Sequence, residues 1–163
     1  MDHIDRKILD LIQDDATLPI ATIAEKVGLS GAPCWRRIKR LEDEGVIVKR
    51  VALVDRRKVN VPMTVFVSVR TTRHTLEWVN AFKGMVLDIP EVMEVWRLTG
   101  EVDYLLRIAV PNVEAYDGVY RRLIGRLEFA DVSAAIAMEE MKCTTAVPTQ
   151  YLESYPGVNK RGK

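Results

Sequence analysis

The cations of the run GAPCWRRIKRLEDEG, residues 31–45, are the groups in this chain best suited to recognising another molecule. An arginine guanidinium is a planar fork whose N–H groups match O6 and N7 of guanine, whereas a lysine ammonium serves phosphate as a point charge. A basic run alone is more often a solvated face than a ligand site, so the spacing has to decide. On a helix advancing ~100° per residue, Cys34, Ile38 and Leu41 share one stripe, with Trp35 at its edge. These four are expected to anchor the helix to its own domain, and Cys34 reads as a structural thiol. Arg36 and Arg40 fall on the opposite side near Ala32 and Pro33, flanked by Arg37 and Lys39. A helix in a DNA groove needs this distribution: central side chains toward base edges, flanking cations toward the phosphate ridges. The expected DNA-contacting set is Ser30, Ala32, Pro33, Arg36, Arg37, Lys39 and Arg40. Glu42, Asp43 and Glu44 oppose phosphate and sit at the negative end of the helix dipole, so that end is expected to point away from DNA.

A second candidate lies downstream, at Gly100, Glu101, Val102, Asp103 and Tyr104. A glycine lets backbone approach a small ligand, and a carboxylate accepts hydrogen bonds from an ammonium group. A hairpin that uses its glycine and aspartate only to turn explains the same residues more simply.

Two kinds of element must position these groups. Residues 3–60 carry helical spacing. Ile4, Ile8, Leu11 and Ile12 form one stripe that ends near Asp14-Asp15, Pro19 suits a first helical turn, and Ile23, Ala24 and Val27 face inward before a turn at Gly28. Ser30 is placed to cap the cation-bearing helix, and Gly45 to end it. The order helix, glycine turn, helix is that of a helix-turn-helix. VIVKRVALVD then predicts a strand leaving the DNA-binding unit, with a boundary in VNVP at 59–62. Beyond it the period alternates between strand and helix. Met63 to Val69 alternate; Leu76, Val79, Phe82, Val86 and Ile89 share a helix face; VMEVWRLTG and DYLLRIAV flank a turn. Tyr116, Tyr120, Leu123 and Leu127 share a second helix face, and Val132, Ala134, Ile136 and Met138 alternate. The βαββαβ order predicts a ferredoxin-like sandwich with helices on one face of an antiparallel sheet, the other face packing on a second subunit. The fold class is therefore α+β, divided as residues 1–61, 62–146 and an arm or tail, 147–163, to which no chemistry is assigned.

Composition narrows the function classes. With 48% hydrophobic residues the chain can build packed cores, yet no apolar run is long enough to span a bilayer. The start MDHIDRKILD lacks a signal-peptide core, so a cytoplasmic protein with no membrane partner is expected. Cys34 and Cys143 stand apart without histidine nearby, so neither a disulfide framework nor a metal site is expected. The net charge of +1 hides a local excess: residues 36–58 hold nine Lys or Arg against four acids. A localised basic stripe is the footprint of double-stranded DNA as a partner. No P-loop, GxGxxG or GxSxG occurs, and His3 and His74 are isolated, which weighs against an enzyme.

The segment from Ile4 to Thr145 resembles the leucine-responsive regulator and AsnC (Lrp/AsnC) family of prokaryotic transcription regulators. IDRKILDLIQDDA, IAEKVGLSGAPCWRRIKRLEDEGVI, LTGEVDYLLRIAVPN and AMEEMKC carry the resemblance in order. It implies a winged helix-turn-helix, a linking strand and a RAM/AsnC-type sensor domain that binds an amino acid effector. It also implies homodimers assembling to octamers, with no other cofactor. The family's effector cleft lies near a turn usually written Gly-Asp-aromatic-Asp-Tyr. Here Gly100, Asp103 and Tyr104 match, while Val102 replaces the aromatic. Thr99, Ala135 and Ala137 are similar to further cleft positions. PCWRRIKRLEDEG, Glu77-Trp78, VWRLTGEVDYLLRIAV and AMEEMKCTT resemble the branch regulating cysteine detoxification, which implies cysteine as effector and Trp96 and Arg97 as places for specificity. A leucine- or branched-chain-responsive global regulator and an effector-independent architectural DNA-binding protein are the alternatives.

Overall fold

The computed structural model describes residues 1–154. Packing divides the chain into two compact units, Met1–Ala52 joined by the segment from Lys142 onward, and Leu53–Met141.

The first unit holds α1 (His3–Asp14), α2 (Ile20–Val27) and α3 (Gly31–Asp43). Asp2 and Asp5 form a capping box that starts α1, each side chain accepting from the other's backbone N–H. Gly28 takes a left-handed φ of 74°, which lets the N–H groups of Gly28 and Leu29 close the end of α2 on Glu25 and Ala24. Gly45, at φ 71°, ends α3 in the same way, with Val46 N–H donating to the Leu41 carbonyl. Ile8, Ile12, Ile23, Ala24, Val27, Cys34, Ile38 and Leu41 meet in one core, as the helical spacing requires.

The second unit holds β1 (Met63–Arg70), α4 (Leu76–Leu87), β2 (Val92–Arg97), β3 (Tyr104–Val110), α5 (Val113–Ile124) and β4 (Asp131–Ile136). The strands form one four-stranded antiparallel sheet in the order β2-β3-β1-β4, the ferredoxin-like arrangement the sequence order implies. Strand alternation sends Val65, Val67, Val69, Tyr104, Leu106 and Ile108 to the helix-covered side, where Phe82, Val86, Val119 and Leu123 complete the core. On the opposite side Phe66 and Trp96 stay exposed in the single chain.

Several details depart from the sequence reading. Residues 46–55, expected as a strand, form none: no neighbouring strand within the chain completes their hydrogen bonds, and Val48 and Leu53 stand in solvent. The packing boundary falls at Ala52/Leu53, ahead of residues 61/62, because the extended linker is continuous with the sheet unit. On α4, Leu76 is exposed and Trp78 takes the core position, its indole N–H donating to the Glu128 carbonyl at 3.3 Å. Met138 lies beyond the end of β4, fully exposed. The arm is structured as far as it is described. Gln13 exchanges two hydrogen bonds with the Val147 backbone (3.2 and 2.7 Å), and Leu152 of a 3-10 helix, Thr149–Ser154, packs on the α1–α3 core. The rest of the expected tail, 155–163, lies outside the described residues.

Candidate functional site

Helix α3 is held from beneath and from one side. Beneath, Cys34 and Leu41 are completely buried and Ile38 nearly so. Burial pushes the Cys34 thiol above its ordinary range, with Arg37 acting weakly the other way, so it is an unreactive core group. Ser30 occupies the N-cap position with extended backbone, but its hydroxyl caps no N–H.

The side support is an ion cluster that the sequence reading missed. Asp5, on α1, is 1% exposed and accepts from Arg37 at 2.8 Å, from Arg40 at 2.6 Å and from the Asp2 N–H at 3.0 Å. Arg37 also reaches the Asp2 carboxylate at 2.8 Å. Burial opposes ionisation of Asp5, yet the hydrogen bonds from Asp2 N–H and Arg37 outweigh it and hold the carboxyl below its ordinary range. Asp2 is lowered to about 2, chiefly by the Asp5 N–H and then by Arg37. A carboxylate this deeply buried stays charged because a backbone N–H and two cations are aimed at it. Arg37 and Arg40 are therefore braces that fix α3 on α1. Of the residues expected to contact DNA, Arg37 and Arg40 turn their guanidiniums onto Asp5 in the free chain, although the Arg40 side chain remains 46% exposed. Only an aspartate at the first turn of α1, preceded by a capping Asp2, hinted at this in the sequence.

The outer surface of α3 that remains is Ala32, Trp35, Arg36 and Lys39, all exposed, with Pro33 half-buried at its edge. Arg36 makes no ion pair or hydrogen bond among the described residues. Lys39 leans 3.0 Å from Asp43 and 4.0 Å from Glu42, a solvated pair that a phosphate can displace. Trp35 departs from expectation: it is 52% exposed instead of anchoring the helix. The acidic end is neutralised locally, Glu42 by Arg50 at 3.0 Å and Asp43 by Lys39. This lets three consecutive acids follow a basic face without a net negative patch there.

The sensor turn is built differently. Gly100 holds φ 116°, a conformation closed to other residues without strain, and Leu98 N–H donates to the Asp103 carbonyl at 2.8 Å to close the loop. Asp103 accepts from the buried Thr71 N–H at 2.8 Å, tying the turn to the end of β1, and its other oxygen lies 4.0 Å from His74 Nδ1. Tyr104 does not join it. Its ring is 6% exposed and packs tilted against Phe82 in the core, centroids 4.6 Å apart, because β3 alternation turns it to the helix side. Trp96 and Ala135 lie on the open side of the sheet, on opposite edge strands, and Trp96 donates to Glu94 at 3.3 Å. Three strand spacings, roughly 14 Å, separate those edges, so one small molecule cannot touch both within a chain. Arg97, Thr99 and Ala137 sit at the ends of β2 and β4, Arg97 and Thr99 exposed. The structure thus clusters Thr99, Gly100 and Asp103 at one loop and leaves the other expected effector residues apart.

Comparison with known proteins follows this division. Residues 1–48 match the winged helix-turn-helix DNA-binding family model, and residues 64–147 match the Lrp/AsnC ligand binding domain. The HTH-type transcriptional regulator Zrp of Zymomonas mobilis is 47% identical over 93% of this chain and 99% of its own. A crystal structure of an AsnC family transcriptional regulator from Agrobacterium tumefaciens superposes with TM-score 0.91 and 53% identity, over 93% of this chain and 99% of that one. A transcriptional regulator from Neisseria meningitidis, solved as an L-Met complex, gives TM-score 0.88 and 33% identity over 93% and 99%. These relatives are transcription regulators, not enzymes. No described helix is long and apolar enough to cross a membrane.

Proposed function

This chain belongs to the Lrp/AsnC family of DNA-binding transcription regulators, and we propose that α3 reads an operator through Arg36 while a small amino acid, cysteine in the first instance, is sensed near the 99–103 turn. The observation that carries the first half is the contrast within α3. Two of its arginines are held by Asp5, and the third projects beside Ala32, a residue small enough to let the helix sit deep in a groove. Support for an amino acid effector is the matched ligand-binding domain and the relative solved with L-methionine, a sulfur amino acid. Gly100 leaves backbone open to a ligand, and Asp103, although committed to Thr71, keeps one oxygen for an ammonium group.

The working assembly is a homodimer that builds to an octamer. The open sheet side, with Phe66 and Trp96 exposed, and the uncovered apolar linker at Val48 and Leu53 favour it. In this assembly the residues that one chain leaves far apart face each other across subunits. Effector binding there changes the spacing of two α3 helices set for successive major grooves.

The test begins with selection of duplexes from a random library by the full-length protein. Enrichment of one motif, with log affinity falling linearly against log salt, is the expected result. Equal affinity for all duplexes, indifferent to every amino acid, leaves an architectural protein instead. A thermal-shift screen of the twenty amino acids then identifies the effector, since a ligand preferring the folded state raises its stability. A shift with cysteine is expected; a shift only with leucine or other branched residues overturns that choice.

A further inference from the structure

Trp35 is the largest side chain on the outer surface of α3, and nothing in its own unit accounts for its exposure. Of three tryptophans in the chain, Trp78 is 5% exposed and stacked in an aromatic core, whereas Trp35 is 52% exposed and has no ring partner among the described residues. An indole is a large apolar surface, and leaving half of it in water forgoes much of the stabilisation its burial would give. Its neighbours on the same helix face are Ala32 at i−3 and Lys39 at i+4, and Arg36 follows one ~100° step round, so Trp35 borders the outward surface that carries this arginine. It stands away from the flank that Arg37 and Arg40 bind to Asp5. Gly31 and Ala32 carry almost no side chain, so the first turn lets a groove wall come close and brings the indole within reach of base edges.

From this placement, and resting on the reading of α3 as the DNA-contacting helix, we infer that Trp35 is a specificity-determining residue that packs against the 5-methyl group of thymine beside the base read by Arg36. An indole has one N–H donor and no acceptor, so its main contribution in a major groove is apolar, and the thymine methyl is the apolar group displayed there. The pair divides the work by chemistry: Arg36 supplies hydrogen bonds to guanine, and Trp35 supplies methyl contact to the neighbouring thymine. Neither duplicates the braces, which read nothing.

The experiment uses the full chain and the duplex enriched from a random library by the wild-type protein. Each thymine of that duplex is replaced in turn by uracil, which removes only the methyl group. Wild type is expected to lose roughly tenfold affinity at one position per half-site and little elsewhere. Trp35→Ala is expected to bind all-thymine and that uracil duplex equally, measured at a temperature where the variant is folded. Arg36→Ala keeps the uracil sensitivity while losing its guanine preference. Trp35→Phe, the conservative variant, retains part of the methyl effect and keeps the test usable if the alanine variant folds poorly. A fluorescence change on DNA binding that survives Trp96→Phe and disappears in Trp35→Phe supports the contact independently. If wild type enriches no motif, the reading of α3 itself fails. If it does, and Trp35→Ala shows the same uracil sensitivity as wild type, the role of Trp35 is overturned.

Discussion

On α3 the groups proposed to meet DNA follow one another along a single helix, and their positions are fixed once that helix is seated. At the sensor turn they come from loops and strand ends on both edges of a sheet, and within one chain they do not converge. The two regions also use carboxylates in opposite ways. Asp5 is buried under two guanidiniums, holding α3 while it closes the capping box of α1, whereas Asp103 ties down one backbone N–H and leaves its other oxygen 4.0 Å from His74. A buried, doubly paired acid is architecture; a half-committed acid beside a glycine turn retains capacity for a ligand. On the proposed reading, the difference separates a rigid reader from a site that a second molecule completes.

The sharpest way to break this contrast is to remove the buried acid. Asp5→Ala removes the buried acceptor shared by two guanidiniums, leaving Arg37 only Asp2, and is expected to destabilise the N-terminal unit by about 2–4 kcal/mol, less than a fully buried pair because both arginines are partly solvated. Denaturant unfolding measures it, and a loss under ~0.5 kcal/mol would contradict the brace assignment. The same cluster sets an acid limit. Asp2 titrates at about 2 and Asp5 below its usual range, so both favour the folded state above the ordinary aspartate pKa. That contribution disappears as the pH falls from ~4 toward about 2, and melting curves of the N-terminal unit across that window should show it. Asp5→Asn should flatten the dependence.

Within α3, Arg36→Ala and Arg37→Ala should act on different quantities. The first costs about 1–3 kcal/mol of discrimination against the wrong base with stability unchanged; the second lowers stability, with base preference retained by the folded fraction. Equal effects on both quantities would merge reader and brace. At the turn, Asp103→Ala orphans the buried Thr71 N–H at about 1–3 kcal/mol, whereas Asp103→Asn keeps an acceptor and is expected to spare stability while abolishing the amino acid thermal shift. The smallest effect is at Lys39, already paired with Asp43: Lys39→Ala should reduce the salt slope of DNA binding by about one, without changing sequence preference.

How much of this was readable before the structure depends on range. Cys34, Ile38 and Leu41 were assigned inward, and Arg36 outward, from periodicity alone, because one helix's core and surface are separated by ~100° steps. The turn at Gly28, the stop at Gly45 and the βαββαβ order followed from glycine and alternation, which act over a few residues. The pairing of Arg40 and Arg37 with Asp5 is not readable locally, because Asp5 lies 35 and 32 residues away and no local spacing encodes how two helices pack. Tyr104 is grouped with the turn by its match to the family motif, yet one step of strand alternation sends it to the opposite side from Leu105. Residues 46–55 read as a strand because their β-branched content is real, but a strand needs a neighbour that a single chain does not provide.

The sequence by itself determined that this chain carries a helix-turn-helix ahead of a ferredoxin-like unit, and that one helix has a basic outer face. Those properties are periodic and local, written in the order of apolar and charged residues. Only the tertiary structure decided which cations of that helix are bound to Asp5, and that Trp35 stands outside the core. Ion pairing and burial depend on what another helix brings alongside, and that is fixed by packing in three dimensions and not by spacing along the chain.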